Sequence, residues 1–258
     1  MKLVLDASVG ASYTSASQWA RRVTEAWASG NLYCVACTAP RLAPHAANRA
    51  VEDYHCTRCR RQIQLKAKNG TFAKAWSNSA FEKKRAAIAA GRTPDYCFMS
   101  YRRESLLVDD VVWVPGHFIT LSVVSPRRPL AATARRSGWI GSTIHLDRVP
   151  NNGKIVVVER GKSRPPRKVR LEFHRLAFLQ HLDSPRRRWL TDVLAALDHA
   201  GIAPGQGFAN ADLYALEERF HQLHPSNLHI RPKIRQQLQV LQRRGLVTRV
   251  SPGRYVRH

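Results

Sequence analysis

Acidic residues are scarce in this 258-residue chain: 18 Asp and Glu face 42 Lys and Arg, a formal charge of +24. Self-repulsion at that charge destabilises a compact state unless a polyanion neutralises part of it. The basic residues are spread along the chain rather than gathered in a tail, so nucleic acid is the expected partner. Long apolar runs are missing too. No stretch approaches the roughly 20 apolar residues a membrane span needs, and residues 1–6 lack the apolar region of a signal peptide. A cytoplasmic protein without membrane contact is expected. Cysteine is rare, with five residues in all. Four fall in two Cys-x-x-Cys pairs, which in a reducing compartment hold metal more often than they form disulfides. The fifth, Cys97, lies in an apolar run and reads as a buried thiol. Apolar content is ample: at 44% it argues against general disorder, and the length allows one large or two modest domains with a real core.

The residues that carry chemistry gather in the stretch 51–68. Residues 51–55 and 62–68 read as two strands of a hairpin. The second alternates polar Gln62, Gln64, Lys66 and Lys68 with apolar Ile63, Leu65 and Ala67. A period of two projects Gln64 and Lys66 from one face, with Asp53 on the first strand opposite them and Glu52 turned away. The pattern Asp-x10-Gln-x-Lys is close to the Asp…(Asp/Glu)-x-Lys constellation of metal-dependent nucleases. Cys56 and Cys59 sit between the strands, and Cys34 and Cys37 precede them with 18 residues (38–55) between the pairs. That spacing fits a four-cysteine zinc site. Four thiolates suit tetrahedral Zn²⁺ and leave no open position, so the site reads as structural.

Around the hairpin the expected elements alternate. A helix over 15–29 carries Trp19, Val23 and Trp27 on one stripe, with Thr14 or Ser15 as cap and Gly30 as terminator. Asn69-Gly70 marks a tight turn. A helix is expected over 77–90 with Phe81, Lys84, Arg85 and Ile88, strands over 96–101, 106–114 and 155–159, and a helix near 168–179. Together they form an α/β (α+β) first domain that closes at Leu182-Asp183-Ser184-Pro185. Residues 126–145 are unlike a core element. Arg127, Arg128, Arg135 and Arg136 flank a Trp139-Ile140 pair bracketed by glycines. Trp139 reads equally well as a base-stacking tip and as a core side chain under a basic loop.

The last 74 or so residues read as three helices and a hairpin. The helices are expected at 186–198, 209–222 and 229–244. The third bears Ile230, Ile234, Leu238 and Leu241 on one stripe and Arg235, Gln236, Gln239 and Arg243 on the other. Strands at 246–250 and 254–256 make a wing. In such a winged helix-turn-helix the third helix enters the major groove, where Arg suits guanine and Gln suits adenine. B-form DNA therefore fits better than RNA.

Over nearly its whole length the chain resembles the DpnI-like methyl-directed restriction endonucleases and the related Dam-replacing proteins. The resemblance is carried by Cys34-x-x-Cys37, Asp53, Cys56-x-x-Cys59, Leu65-Lys66, Pro129-Leu130-Ala131, the run from Thr133 to Gly141, and the run from Lys233 to Gln239. It implies a PD-(D/E)xK nuclease domain with an inserted zinc site over 1–182 and a winged helix over 183–258. It also implies a Mg²⁺-dependent type II endonuclease, expected to be monomeric, acting on duplex DNA at adenine-methylated GATC-like sites. Asp53 matches the family's metal-binding aspartate and Lys66 its catalytic lysine. Between them the family has glutamate and this chain has Gln64, which keeps a carbonyl oxygen but no charge. Three readings stay open: a working variant site, a weak nuclease, or a methyl-DNA-binding regulator that does not cut. Trp139 is the candidate to pack on the adenine methyl, with Arg135 and Arg136 on nearby phosphates. Lys233 joins Arg235, Gln236, Gln239 and Arg243 as candidate DNA contacts.

Overall fold

The computed structural model describes residues 1–45 and 52–258. Helix α1 (Ala16–Asn31) buries Val23, Trp27 and Ala28 and runs through Gly30 to end at Leu32. The extra turn is held by Asn31, whose side-chain amide donates to the Trp27 carbonyl while its Oδ1 accepts from the Lys2 N–H. Short strands β1 (Ala43–Pro44) and β2 (Tyr54–His55) lead into β3 (Gln62–Asn69). Val51, the first residue of the expected strand, lies outside the described residues. Next come β4 (Ala75–Ala80) and α2 (Phe81–Ala89), where one helix was expected over 77–90. The strand wins because Trp76 and Asn78 alternate inward with a period of two, and the helix begins only where that alternation stops.

Strands β5 (Asp95–Arg102) and β6 (Leu107–Val114) are the apolar centre, followed by β7 (Val124–Pro126), β8 (Gly141–His145), β9 (Ile155–Glu159) and β10 (Lys162–Ser163). The main sheet has seven strands in the order β1-β2-β3-β5-β6-β9-β10. Its β3–β5 pair is parallel and its other pairs are antiparallel. One face buries Ile63, Cys97, Met99 and Trp113 under α1 and under α3 (Pro166–Arg175). Helix α3 is shorter than the expected 168–179, because the chain tightens into a 3₁₀ turn at Ala177–His181. The other face buries Tyr96, Phe98, Val112 and Val114 against a smaller sheet, β4-β8-β7. Cys97 is buried, as its apolar neighbours indicate.

The C-terminal part comprises α4 (Ser184–His199), β11 (Gly207–Ala209), α5 (Asn210–Tyr214), α6 (Glu217–Leu223), α7 (Ile230–Arg243), β12 (Val247–Ser251) and β13 (Arg254–Arg257). Asp183 caps α4 by accepting from the Arg186 N–H. The single helix expected over 209–222 is broken after Tyr214 into α5 and α6. The wing gains β11 as a third strand, in the order β11-β13-β12. One apolar cluster runs without a gap from Trp76 and Phe98 through Trp189 and Leu194 to Phe220 and Tyr255. Polar ties reinforce the junction. Buried Arg257 bonds Asp198 at 2.7 Å and Asn152 at 2.8 Å, and Asp192 accepts from Ser122 at 2.8 Å and contacts His224 at 2.9 Å. The result is a mixed α/β part followed by a helix-turn-helix part. Among the described residues no helix is long and apolar enough to cross a membrane.

Candidate functional site

Two groups of chemistry-bearing residues share the β2–β3 hairpin. The first is the cysteine set. Sγ atoms of Cys34, Cys37, Cys56 and Cys59 all lie within 4.8 Å of one another, with Cys34–Cys59 at 3.6 Å and Cys37–Cys56 at 3.5 Å. Tetrahedral zinc with Zn–S bonds of about 2.3 Å implies sulfur–sulfur edges of about 3.8 Å, so the set can hold such an ion. The backbone supports it. N–H groups of Ala39 and Cys59 donate to Cys37 Sγ and Cys56 Sγ, each at 3.5 Å. Arg60 turns the chain out of the knuckle at a φ of 58° and donates its N–H to the Cys56 carbonyl. From α3, the Arg170 Nε clamps the other knuckle by donating to the carbonyls of Cys34 and Cys37 at 3.2 and 2.7 Å.

The second group lines a cavity of about 380 Å³ at the free edge of β3, beyond the short pairing with β2. Asp53, Gln64 and Lys66 all line it. Asp53 sits in a bend immediately before β2 rather than within a strand, yet its N–H bonds the Ile63 carbonyl, which places it beside Gln64. Its Oδ2 accepts from the Leu65 N–H at 2.8 Å, leaving Oδ1 for another partner. Burial pushes the Asp53 carboxyl above the usual carboxylate range, offset in part by the Leu65 N–H and the Lys66 ammonium, while nearby Glu25 pushes it further up. Burial lowers Lys66, and Asp53 opposes that shift. Glu52 lies 3.8 Å from the His45 ring and does not line the cavity, in keeping with strand alternation.

Gln64 Oε1 is buried without a hydrogen-bond partner among the described residues. An orphaned carbonyl oxygen beside a free carboxylate oxygen is the kind of donor set that Mg²⁺ takes. The set has a third candidate that sequence reasoning missed. Glu25 of α1 also lines the cavity, its carboxylate held by Arg21 Nε at 2.7 Å and its backbone carbonyl accepting from the Tyr54 hydroxyl at 2.7 Å. Its only signal in the sequence is an Arg-Glu pair four residues apart on the helix, which reads as a solvated face.

On the same sheet face, Tyr96 is the β5 partner of Gln64, and Phe98 that of Lys66. The Tyr96 hydroxyl accepts from Asn78 Nδ2 at 3.1 Å and from the Lys84 ammonium. Lys84 is buried, where the sequence places it on an ordinary helix.

The basic loop forms a hairpin-like extension of β7 and β8, closed by bonds from the Arg127 N–H to Gly141, from the Leu130 N–H to Trp139 and from the Gly138 N–H to Leu130. Trp139 is neither a free tip nor a core side chain. Its half-buried ring lies on Gly141, where a Cβ would meet it at 2.8 Å, and the Arg136 guanidinium stacks on it at 4.6 Å. Arg127, Arg128, Arg135 and Arg136 are exposed around it.

Helix α7 buries Ile230, Ile234, Leu238 and Leu241, and Gln237 as well. Arg235, Gln236, Gln239 and Arg243 are exposed on the other face. Arg235 Nη1 donates to the Tyr214 hydroxyl of α5 at 2.8 Å. Lys233 stands apart from them: it is half-buried, with its ammonium 5.9 Å from the Trp189 ring.

Comparison with known families matches both parts. The model of the Dam-replacing family, DpnI, matches residues 1–182, and that of the Dam-replacing helix-turn-helix domain matches residues 185–257. With its α/β sheet, four-cysteine knuckle and C-terminal helix-turn-helix all covered, the chain belongs to the Dam-replacing DpnI family.

Proposed function

We propose that this protein is a methylation-dependent DNA endonuclease that cuts duplex DNA at adenine-methylated, GATC-like sites. The observation that carries this reading is the convergence of Asp53, Gln64 and Lys66 on one cavity, in a chain that also carries a Dam-replacing helix-turn-helix domain. In this reading residues 1–182 hold the hydrolytic centre and 183–258 add a second DNA-binding surface. The protein acts as a cytoplasmic monomer, with zinc in the cysteine knuckle as a structural ion.

Asp53, Gln64 and Glu25 would hold Mg²⁺, which when bound supplies a Lewis acid for the scissile phosphate. Asp53 keeps one oxygen on the Leu65 N–H, which fixes the orientation of the other. Lys66, half-buried and close enough for Asp53 to influence its charge, orients the attacking water and offsets charge as it builds on the phosphoryl oxygens. Gln64 contributes a neutral carbonyl, so ion affinity is lower than a carboxylate there would confer, and the second negative charge comes from Glu25. Arg135 and Arg136 bind phosphates beside the modified base, and the Trp139 ring packs on the adenine methyl. On α7, Arg235, Gln236, Gln239 and Arg243 read the major groove, with Lys233 at its margin.

Gln64 also favours a second reading, a methyl-DNA-binding regulator that does not cut. One experiment separates them: cleavage and gel-shift assays on a single duplex, methylated or unmethylated at GATC, with Mg²⁺ and then Mn²⁺, beside Gln64→Glu. Methyl-dependent cutting by the native chain is expected. Methyl-dependent binding without cutting, with cutting restored by Gln64→Glu, would establish the regulator instead.

A further inference from the structure

The interior holds several charges, and most have an opposite charge beside them. Asp95 has Arg61 at 3.2 Å, Arg257 has Asp198 at 2.7 Å, and Asp192 has Arg188 at 3.9 Å. Lys84 has none. At 2% exposure, its ammonium makes no ion pair with a carboxylate among the described residues. It donates to the Tyr96 hydroxyl and lies 4.9 Å from the centre of that ring. The phenol cannot supply the missing charge, because burial raises its own pKa. An ammonium placed so is costly to the fold unless something else compensates it.

Its position indicates what that is. Tyr96 stands opposite Gln64 in the parallel β3–β5 pair, and register partners in such a pair project from the same face. Lys84 therefore stands on the face that carries Gln64 and Lys66, and it feels the Lys66 charge. In the cavity itself Lys66 faces the Asp53 and Glu25 carboxylates, and Glu25 is paired with Arg21 at 2.7 Å.

Resting on the reading of this cavity as a phosphodiester centre, we propose that Lys84 is a second lysine of that centre: a positioning residue, held behind Lys66 on Tyr96, whose charge is compensated by the bound DNA backbone. The free amine is held down to about 8 by burial and by Lys66. A phosphodiester in the cavity favours its charged form, so DNA binding draws a proton onto it, and affinity falls as pH rises above that value. The other titratable groups facing it are few. They are Lys66 from the hairpin and Tyr96 from β5; β4 carries none. On α2 itself, Lys83 is exposed, and Glu82 and Arg85 are exposed and paired with each other.

The test measures affinity of the full-length native chain, Lys84→Met and Lys84→Arg for a methylated GATC duplex without added Mg²⁺, from pH 7 to 9, with a melting curve for each protein. Native affinity is expected to fall about tenfold more than that of Lys84→Arg between pH 7 and 9, because guanidinium stays charged throughout. Lys84→Met is expected to bind about tenfold more weakly than native at pH 7, with a shallower salt dependence, while melting no lower than native. A Lys84→Met protein that melts lower yet keeps the native affinity and pH profile overturns the proposal and leaves Lys84 a packing residue. A native chain that binds no methylated duplex defeats the functional reading, and this proposal with it.

Discussion

The cysteine knuckle and the cavity beside it share one hairpin, yet they are finished to different degrees. Every sulfur of the knuckle lies within 4.8 Å of the other three, backbone N–H groups support two of them, and Arg170 ties the preceding turn to α3. The cavity is incomplete by contrast. Among the described residues Gln64 Oε1 has no partner, and Asp53 uses one oxygen on the backbone. A structural site is closed by the protein's own atoms, whereas a working centre leaves groups for a ligand to satisfy.

The largest expected effect tests the closed half. Removing zinc by exhaustive chelation, or replacing Cys56 with Ser, is expected to abolish the cooperative unfolding transition of the sheet, because structural zinc sites contribute on the order of 10–16 kcal/mol. Near-ultraviolet circular dichroism alongside zinc quantification checks this. A native spectrum in metal-free protein would remove the contrast between the two groups. The open half is tested next. Asp53→Ala and Lys66→Ala are each expected to lower cleavage by about 10²–10³-fold, the scale of losing one charge-stabilising group, while gel-shift affinity for the methylated duplex stays within about threefold. A loss of binding equal to the loss of cutting would mean that these residues hold DNA rather than act on it.

A third prediction concerns a side chain that is closed off yet unsatisfied. His117 is buried, its Nε2 has no hydrogen-bond partner among the described residues, and burial together with nearby Arg61 and Arg187 drives its imidazole down to about 3. An unfolded chain protonates the same ring near 6.5. Between those values the unfolded state takes up a proton that the folded state does not, so this contribution is intact above 6.5 and is lost as pH falls toward 3. By pH 5 the loss is about 2 kcal/mol. Urea unfolding at pH 7 and pH 5 measures it, and in His117→Phe the pH dependence should shrink by that amount.

Legibility in the sequence followed the range of the interactions. The cysteine knuckle was readable because its ligands come in two tight pairs, and the pair Gln64 and Lys66 because strand alternation depends on neighbours alone. The apolar stripe of α7 was readable for the same reason. What escaped depends on contacts across the sheet. Glu25 reaches the cavity only because α1 packs on β3, with its carbonyl tied to Tyr54. Lys84 looks like any helical lysine until α2 is laid over Tyr96. The alternation of Trp76 and Asn78 was short enough to be absorbed into the helix that follows it. Trp139 was ambiguous because the backbone that receives it, Gly141, becomes a platform only when β7 and β8 pair.

The smallest effect is expected on α7, where the comparison between closed and open groups can be made within a single helix. Arg235 is satisfied in the free protein by the Tyr214 hydroxyl at 2.8 Å, whereas Gln239 is exposed, and exposed Gln236 accepts only a long 3.3 Å bond from the Gln237 amide. For Arg235 to read a base, DNA must replace the tyrosine contact, so its net contribution is less than the roughly 1–3 kcal/mol of a good bidentate base contact. Arg235→Ala is therefore expected to weaken DNA binding by about 1 kcal/mol. Tyr214→Phe should strengthen it slightly, by releasing the guanidinium, and melting temperature should change little. Quantitative gel shifts at two salt concentrations decide the point. If Tyr214→Phe weakens binding as much as Arg235→Ala does, the tyrosine orients Arg235 for DNA rather than competing with it, and the helix is preorganised instead of merely satisfied.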